Sequence, residues 1–336
     1  MTVFLRADAS STIGTGHIVR QMTLGREIAN RGEEVVLLGG IEGPQWVLDM
    51  LRGEDSIRWK PVPIGSFGGR EFEEIRGERV VVDSYFFGLQ ESRQLTGQGA
   101  KVIQFWDGPW QPTIGPMIVA PALEDHPTTL MRAKAEGLEI FSGPELIMMR
   151  SEIQAVRRRR AEGTRGAVFR VVVVFGGAPN PPILSWVLGA ISRLDGTCEV
   201  DVFTREPEVE SRHTKNLGPS IRFHSVGPEI LPYLEEASCA VSAAGTTAME
   251  LIYLSIPSVF IPVVRNQSEN AHSISRHKLG LVIDPESPDK ETQLFKEIWR
   301  QKNLFESGRA ELLETHNGAK RIDDYGAARI ADIVLS

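Results

Sequence analysis

Short runs of branched apolar residues alternate with helix-like segments along the whole chain. These runs lie at residues 3–5, 34–38, 80–82, 102–105 and 117–119, and again at 170–175, 198–203, 221–224, 239–242 and 258–264. Such alternation is typical of βα units, which place parallel strands in one sheet with helices on both faces. Because both halves show it, the sequence predicts an α/β protein with two doubly wound domains facing each other.

A run of four arginines, 157–160, interrupts the alternation and is followed by Gly163 and Gly166. A charge run of this kind is typical of a solvated helix end that leads into a linker, although four cationic side chains could also bind an anion. We therefore predict a first domain over residues 1–155 and a second over 165–336. The last helix is able to pack back on the first domain.

Charge and cysteine content narrow the classes of partner. The formal net charge is −7, whereas a nucleic-acid-binding protein normally carries a basic face, so we expect no nucleic-acid partner. Cys198 and Cys239 lie in apolar runs without metal-site spacing, which predicts buried thiols and neither a metal nor another cofactor.

No apolar stretch reaches the roughly 18 residues of a membrane span, and no leader-like segment precedes the first run. We expect a cytoplasmic protein.

The loop from Gly14 through Gly16 to His17 lies between the first apolar run and the first helical segment. Glycines let the backbone approach a ligand closely, and a helix start attracts anions. A dinucleotide fingerprint would need a third glycine near residue 19 and an acidic residue after the second strand, and the chain has neither. His17 is then either a polar residue of the first helical turn or a general base, because a helix start favours neutral imidazole.

Polar residues also follow two later strands of the first half. Asp83 and Tyr85 come after the run 80–82, and Asp107 comes after the run 102–105. Side chains at the carboxyl ends of parallel strands are well placed to contact a ligand such as a sugar. Acidic residues at these positions are also common helix caps, so both interpretations remain open.

Three loops of the second half follow predicted strands in the same way. The loop 175–180 contains Gly177 and is either a plain strand-to-helix turn or a close approach to a diphosphate. The loop 264–270 contains Asn266 and Gln267 and is either plain surface or one wall of a nucleotide site.

The loop 241–251 is the most specific of the three. Gly245, Thr246 and Thr247 at a helix start favour an anion site. Glu250 has two explanations of equal weight, because Thr247-x-x-Glu250 matches a capping box and a carboxylate there could also bind a ribose diol.

Together these motifs resemble a known family. The stretch Arg6-x-Asp8-x-Ser-Ser-x-Ile-Gly-x-Gly-His17-Ile-x-Arg20 resembles the first motif of PseG, the UDP-2,4-diacetamido-2,4,6-trideoxy-β-L-altropyranose hydrolases of pseudaminic acid biosynthesis. The resemblance continues through residues 82–85, 142–150, 175–177, 244–250, 266–267 and 325–329, and so spans nearly the whole chain.

The resemblance implies a GT-B fold related to the MurG glycosyltransferases, with two Rossmann-like domains and an active site between them. His17 corresponds to the proposed base that activates water. The implied sugar-side residues are Gly14, Gly16, Asp83, Tyr85 and Asp107. The implied nucleotide and diphosphate residues are Gly177, Gly245, Thr246, Thr247, Glu250, Asn266 and Gln267.

The chain departs from the family around the sugar and the phosphates. Ser84 stands where the family usually has histidine, and Ala178-Pro179 stands where many members have Ser-Asp. These departures leave the identity of the sugar open.

From the resemblance we expect a nucleotide-sugar hydrolase. It would release UDP and a free diacetamido trideoxy hexose by attack of water at the anomeric carbon, with cleavage of the C1–O bond and no metal. The alternative is a GT-B glycosyltransferase with a UDP-sugar donor and an unknown acceptor, because a first-loop histidine can equally activate an acceptor hydroxyl. A third interpretation is a nucleotide-sugar-binding subunit. A UDP-linked amino sugar is the expected partner in each case, and the oligomeric state stays open.

Overall fold

The protein divides into two compact units. The structure, a computed structural model, describes residues 1–10, 12–106, 117–125, 127–163, 166–176, 181–195, 198–205, 207, 220–309 and 321–336. The first unit comprises Met1–Arg150 and Asp323–Ser336, and the second comprises Ser151–Ile322. The second unit thus begins before the segment that the sequence analysis assigned to a linker, and the end of the chain belongs to the first unit.

Within the described residues, the first unit contains a sheet of seven parallel strands and a two-stranded ribbon. The strands are β1 (Thr2–Ala7), β2 (Ala9–Ser10), β3 (Glu34–Gly39), β4 (Ile41–Glu42), β5 (Arg58–Pro61), β6 (Arg79–Asp83), β7 (Lys101–Phe105), β8 (Met117–Pro121) and β9 (Glu139–Gly143). The order in the sheet is β5-β3-β1-β6-β7-β8-β9, and β2 pairs with β4. The strand β1 is therefore central, between β3 and β6.

Helices cover both faces of this sheet. They are α1 (Gly16–Asn30), α2 (Gln45–Arg52), α3 (Arg70–Glu73), α4 (Leu89–Gly97), α5 (Pro127–Ala135) and the last helix of the chain, Gly326–Leu335. Along β1, Leu5 belongs to one apolar cluster and Phe4 to another on the opposite face. Burial on both faces explains why the central strands are continuous apolar runs. Ile330 and Val334 of the last helix complete the cluster that contains Ile18 of α1.

The second unit has a sheet of six parallel strands in its described part. The strands are β10 (Phe169–Val174), β11 (Cys198–Thr204), β12 (Ser220–Ser225), β13 (Cys239–Ala243), β14 (Ser258–Ile261) and β15 (Leu281–Val282), in the order β12-β11-β10-β13-β14-β15. The helices are α6 (Ser151–Glu162), α7 (Pro181–Ile191), α8 (Leu231–Glu236), α9 (Thr246–Tyr253), α10 (Ser268–Arg276) and α11 (Lys290–Glu306), so that Gly326–Leu335 is α12.

The run of four arginines lies in α6 and packs within the second unit. Arg160 donates hydrogen bonds of 2.8 to 3.0 Å to backbone carbonyls at the end of α8. Carbonyls at a helix end have no hydrogen-bond donor within the helix itself. Arg159 pairs with Glu235 at 2.5 Å, and the Arg157 guanidinium lies 4.3 Å from the centre of the Tyr253 ring. The run therefore joins α6 to neighbouring helices of the same unit.

No helix in the described ranges is both long enough and apolar enough to cross a membrane.

Candidate active site

His17 and Asp83 meet at the carboxyl ends of the adjacent strands β1 and β6. Helix α1 begins at Gly16, which places His17 in its first turn, and Asp83 is the last residue of β6. The Asp83 Oδ1 atom lies 2.6 Å from Nδ1 of His17, and the Asp83 backbone oxygen lies 3.2 Å from the same nitrogen. Both side chains are buried, with 5% of His17 and 1% of Asp83 exposed. The pair therefore occupies the edge where parallel sheets bind ligands.

Two further side chains of α1 bind the Asp83 carboxylate. Arg20 contacts it with both arms of its guanidinium, Nε to Oδ2 at 2.5 Å and Nη2 to Oδ1 at 2.6 Å. The Gln21 amide donates to Oδ2 at 3.3 Å. Burial by itself raises the pKa of Asp83, but Arg20 and then His17 outweigh burial and hold that pKa well below its usual range.

The ionised carboxylate determines which nitrogen of His17 carries a proton. An ionised carboxylate only accepts hydrogen bonds, so Nδ1 of His17 must donate. In the neutral ring the lone pair is then on Nε2, the nitrogen that can accept a proton. The resemblance implies that Asp83 lies on the sugar side, and a helix cap is the alternative; in the structure its carboxylate is buried and faces the imidazole.

Tyr85 lies beside His17 on the loop after β6. The two rings are edge to face, with centroids 4.5 Å apart and planes 77° apart. Tyr85 is 52% exposed, so its ring is accessible at the surface beside the buried imidazole. Gly14 has a φ of +82°, which favours glycine, and its N–H donates to Ser10 at 2.9 Å. Gly14 and Gly16 thus lie in the segment that leads into His17, and Tyr85 contacts the His17 ring, while Asp107 lies outside the described residues.

A buried ion pair that the sequence analysis did not assign supports the first loop. Arg6 Nη1 lies 2.5 Å from Asp8 Oδ1, and both side chains are almost fully buried. The Asp8 carboxylate also accepts hydrogen bonds from the backbone N–H groups of Gly40 at 2.9 Å and Gly65 at 3.1 Å. The pair therefore joins the loops that follow β1, β3 and β5. Its signal in the sequence is the opening motif, which contains Arg6 and Asp8, as it contains Arg20.

In the second unit, α9 begins immediately after β13. Its N-cap is Gly245, and no side chain caps it. A capping box would require Thr247 as the N-cap and Glu250 as the third helical residue. Thr247 is instead the second helical residue, so the capping-box explanation of Glu250 fails. Glu250 is nearly buried, with 8% exposed, and its interpretation as a ribose ligand stays a prediction.

The loops after β13 and β14 lie side by side. The Gln267 amide lies against Gly245, where an added Cβ would be 3.3 Å from Gln267 Nε2. The Gln267 Oε1 atom accepts a hydrogen bond from the Val263 N–H at 2.9 Å. Asn270 donates to the Ala244 carbonyl at 3.2 Å. These contacts hold the second loop against the start of α9.

The remaining predicted residues are placed as follows. Thr246 is the first residue of α9, and Asn266 lies in a short 3₁₀ turn, Arg265–Gln267, before α10. Gly177 lies outside the described residues. In the part of the chain that the structure describes, no group of three or more His, Cys, Asp or Glu side chains is arranged to hold a metal ion.

Comparison with known proteins relates the second unit to glycosyltransferases. Residues 171–322 match the glycosyltransferase family 28 C-terminal domain. Over 120 residues the chain is 29% identical to UDP-N-acetylglucosamine--N-acetylmuramyl-(pentapeptide) pyrophosphoryl-undecaprenol N-acetylglucosamine transferase 3 of Bacillus cereus. This match covers 34% of the chain and 32% of the relative, so it spans about a third of the relative's length.

Solved structures share the fold along nearly the whole chain. MurG of Acinetobacter baumannii aligns with a TM-score of 0.66 at 12% identity and covers 99% of both chains. The spinosyn rhamnosyltransferase SpnG with thymidine diphosphate also gives 0.66, at 14% identity, over 99% of this chain and 100% of that chain. UGT89C1 of Arabidopsis thaliana with UDP gives 0.64 at 12% identity, over 100% of both chains.

These similarities establish a GT-B fold, which confirms the predicted fold class. They do not single out the PseG hydrolases. Of the two activities that the sequence analysis weighed, they favour the alternative, the glycosyltransferase, over the hydrolase that it preferred.

Proposed function

We propose that this protein is a glycosyltransferase that takes its sugar from a UDP-linked amino sugar. The buried His17–Asp83 pair supports the base catalysis in this proposal, and the match to the glycosyltransferase family 28 C-terminal domain favours transfer over hydrolysis. Asp83 holds Nδ1–H, so that Nε2 can accept a proton from a nucleophile. Base catalysis of this kind contributes on the order of 10²–10⁴ in rate. Tyr85, exposed beside the imidazole, offers a flat surface to the substrate.

The start of α9 supports the binding of a nucleoside diphosphate. The N–H groups of Thr246 and Thr247 belong to the first helical turn, where backbone donors have no acceptor within the helix. Such donors stabilise the charge that grows on a leaving diphosphate, and a comparable donor contributes about 3 kcal/mol in other enzymes. Glu250, close to the same helix start, supplies a carboxylate for the ribose hydroxyls.

The class of donor follows from the relatives. The Bacillus cereus protein has UDP-N-acetylglucosamine in its name, and the Arabidopsis structure contains UDP. We extend both features to this chain, which gives UDP as the nucleotide and an N-acetylated amino sugar as the group transferred.

The reaction we propose is a single displacement at the anomeric carbon. The acceptor oxygen forms a bond to C1 while the bond from C1 to the diphosphate oxygen breaks. The acceptor proton passes to Nε2 of His17, and UDP leaves with the electrons of the broken bond. The chemistry of His17 is the same if the nucleophile is water.

Hydrolysis is the second candidate, and the opening motif from Arg6 to Arg20 favours it because it resembles that of the PseG hydrolases. Water would then replace the acceptor, and the products would be UDP and a free sugar. The same residues would perform both reactions, so only the products separate them.

The decisive experiment measures UDP and free sugar released from a panel of UDP-linked sugars. The panel contains UDP-N-acetylglucosamine and UDP-linked diacetamido trideoxy hexoses, first without an acceptor and then with sugar and lipid-linked acceptors. A transferase releases UDP slowly until an acceptor is added and then forms a glycosylated product. A hydrolase converts a donor completely in water alone. Binding of UDP without release from any donor, with or without acceptors, would contradict both activities.

A further inference from the structure

Arg20 and His17 share one carboxylate. Arg20 Nη2 and His17 Nδ1 both lie 2.6 Å from Oδ1 of Asp83, and Arg20 Nε lies 2.5 Å from Oδ2. This two-armed contact is the strongest geometry available between a guanidinium and a carboxylate. The Arg20 guanidinium also lies 5.5 Å from the centre of the buried Phe105 ring. Arg20 is therefore held by contacts to both the Asp83 carboxylate and an aromatic ring.

We propose that Arg20 is a positioning residue that keeps His17 neutral, and so able to act as a base, by neutralising the carboxylate that orients it. A lone buried carboxylate at hydrogen-bond distance favours the protonated imidazole, because opposite charges stabilise each other where little water screens them. With Arg20 on the same carboxylate, the Asp83–Arg20 pair carries no net charge. The protonated ring then gains much less from Asp83, while the hydrogen bond that orients the ring is kept.

The groups around His17 are consistent with this assignment. Asp83 faces the imidazole from the end of β6, Tyr85 from the loop after it, and Arg20 and the neutral Gln21 bind the carboxylate from α1. Tyr85 brings neither a carboxylate nor a cationic group to the imidazole. Arginine keeps its charge throughout the range in which histidine titrates, so it suits a permanent neutralising role.

The inference rests on the proposed function for its effect on turnover, but its direct test needs no substrate. Histidines labelled with ¹³C and ¹⁵N are titrated by NMR, and the signal of His17 among the seven histidines is assigned by its loss in His17→Asn. Arg20→Gln and Arg20→Met remove the charge, and methionine keeps an apolar stem against Phe105 if the glutamine variant does not fold. Arg20→Lys keeps the charge. Arg26→Gln is the matched control, since Arg26 lies on the same helix and pairs with Glu54 at 2.6 Å.

We expect the neutral variants to raise the titration midpoint of His17 by about one pH unit or more. Arg20→Lys should shift it less, and Arg26→Gln should leave it unchanged. If the proton in the variants is shared between His17 and Asp83, the pair as a whole still binds it more tightly than in the wild-type protein. The titration midpoint therefore still moves to higher pH. The acidic limb of the turnover profile should move to higher pH by the same amount, so that activity lost at neutral pH returns at alkaline pH.

An unchanged midpoint in both neutral variants would overturn the inference, as would an equal shift in Arg26→Gln. A loss of turnover at every pH with no shift would make Arg20 a purely structural residue, which also overturns it. If the midpoint moves as expected but no donor releases UDP in the wild-type protein, the proposed function fails and the inference about Arg20 stands.

Discussion

The Oδ1 atom of Asp83 lies 2.6 Å from Nδ1 of His17, although 66 positions of sequence separate the two residues. The strands β1 and β6 are parallel neighbours, and Ala7 is paired with Asp83 in their register. The chain leaves β1, passes through the short strand β2 and a loop and enters α1, which brings His17 back over the end of β6. The pair is therefore a consequence of strand order.

Replacement of Asp83 by asparagine should lower turnover by on the order of 10²–10⁴, close to the effect of His17→Asn. The amide cannot fix the Nδ1–H tautomer as an ionised carboxylate does. Steady-state kinetics measures the loss, and calorimetry with UDP should show unchanged affinity in both variants. Asp332→Asn is the control, because Asp332 is an exposed partner of Arg31 in the same unit. Near wild-type turnover in Asp83→Asn would contradict the role of the pair.

Asp83 should also make the first unit sensitive to acid. Its pKa is lowered in the folded protein relative to about 3.9 in an unfolded chain, so its stabilising contribution is complete above that value and is lost as the pH falls below it. We expect Asp83→Asn to reduce the free energy of unfolding by about 3 kcal/mol at pH 7. Urea titrations from pH 7 to pH 3 should show the gap between wild type and variant narrowing below about pH 4. A gap that stays constant over this range would contradict the prediction.

Gly326 should tolerate no side chain. Gly326 is the first residue of α12, and a Cβ added to it would collide with the backbone oxygen of Ile147. We expect Gly326→Ala to reduce the free energy of unfolding by about 1–3 kcal/mol, measured by thermal or urea denaturation. Gly189→Ala is the matched control, because Gly189 lies in α7 with no atom within 4 Å of the added Cβ. That variant should gain about 0.5–1 kcal/mol from helix propensity, and equal effects at the two sites would disprove the packing argument.

Glu250 should contribute to UDP affinity through the ribose. Glu250→Gln removes a charged hydrogen-bond acceptor, which should weaken UDP binding by about tenfold or more. The specific measurement is a comparison with 2′,3′-dideoxy-UDP, whose ribose lacks the hydroxyls. Wild type and variant should bind this analogue equally. If the substitution weakens binding of UDP and the analogue to the same extent, Glu250 does not contact the ribose.

Both thiols should be unreactive in the folded protein. Cys198 and Cys239 are buried, and burial raises the pKa of each thiol. A thiol reagent at pH 8 should therefore label neither cysteine until denaturant is added, when both react. Rapid labelling of one thiol in the native protein would show that its surroundings open.

The sequence predicted the interior strands of both sheets well and the edge strand β12 from the run 221–224, but it missed the other edge strands, β5, β9 and β15. The runs 34–38 and 239–242 correspond to β3 and β13 within one residue, because strands buried on both faces must be continuously apolar. By contrast, β5 and β9 have no place in the prediction. Their residues are mostly exposed or half-buried, so charged and small side chains replace the apolar run that would reveal a strand.

Local sequence also indicated the loops of the candidate site, because glycines and polar residues that follow an apolar run mark the end of a strand. It did not show what those residues contact. Thr247 and Glu250 have the spacing of a capping box, but the N-cap of the helix is Gly245 and not Thr247, so the spacing was misleading. Asp83 follows a strand as a sugar ligand would, yet its side chain points at His17 and Arg20.

What the sequence determined by itself is the two-sheet architecture, because apolar periodicity is a local property of the chain. What only the tertiary structure decided is which polar side chains meet. The contact of His17, Arg20 and Asp83 depends on β1 lying beside β6, and strand order is set by the packing of the whole unit. In this buried contact, the positive charge of Arg20 balances the negative charge of Asp83 beside the His17 imidazole.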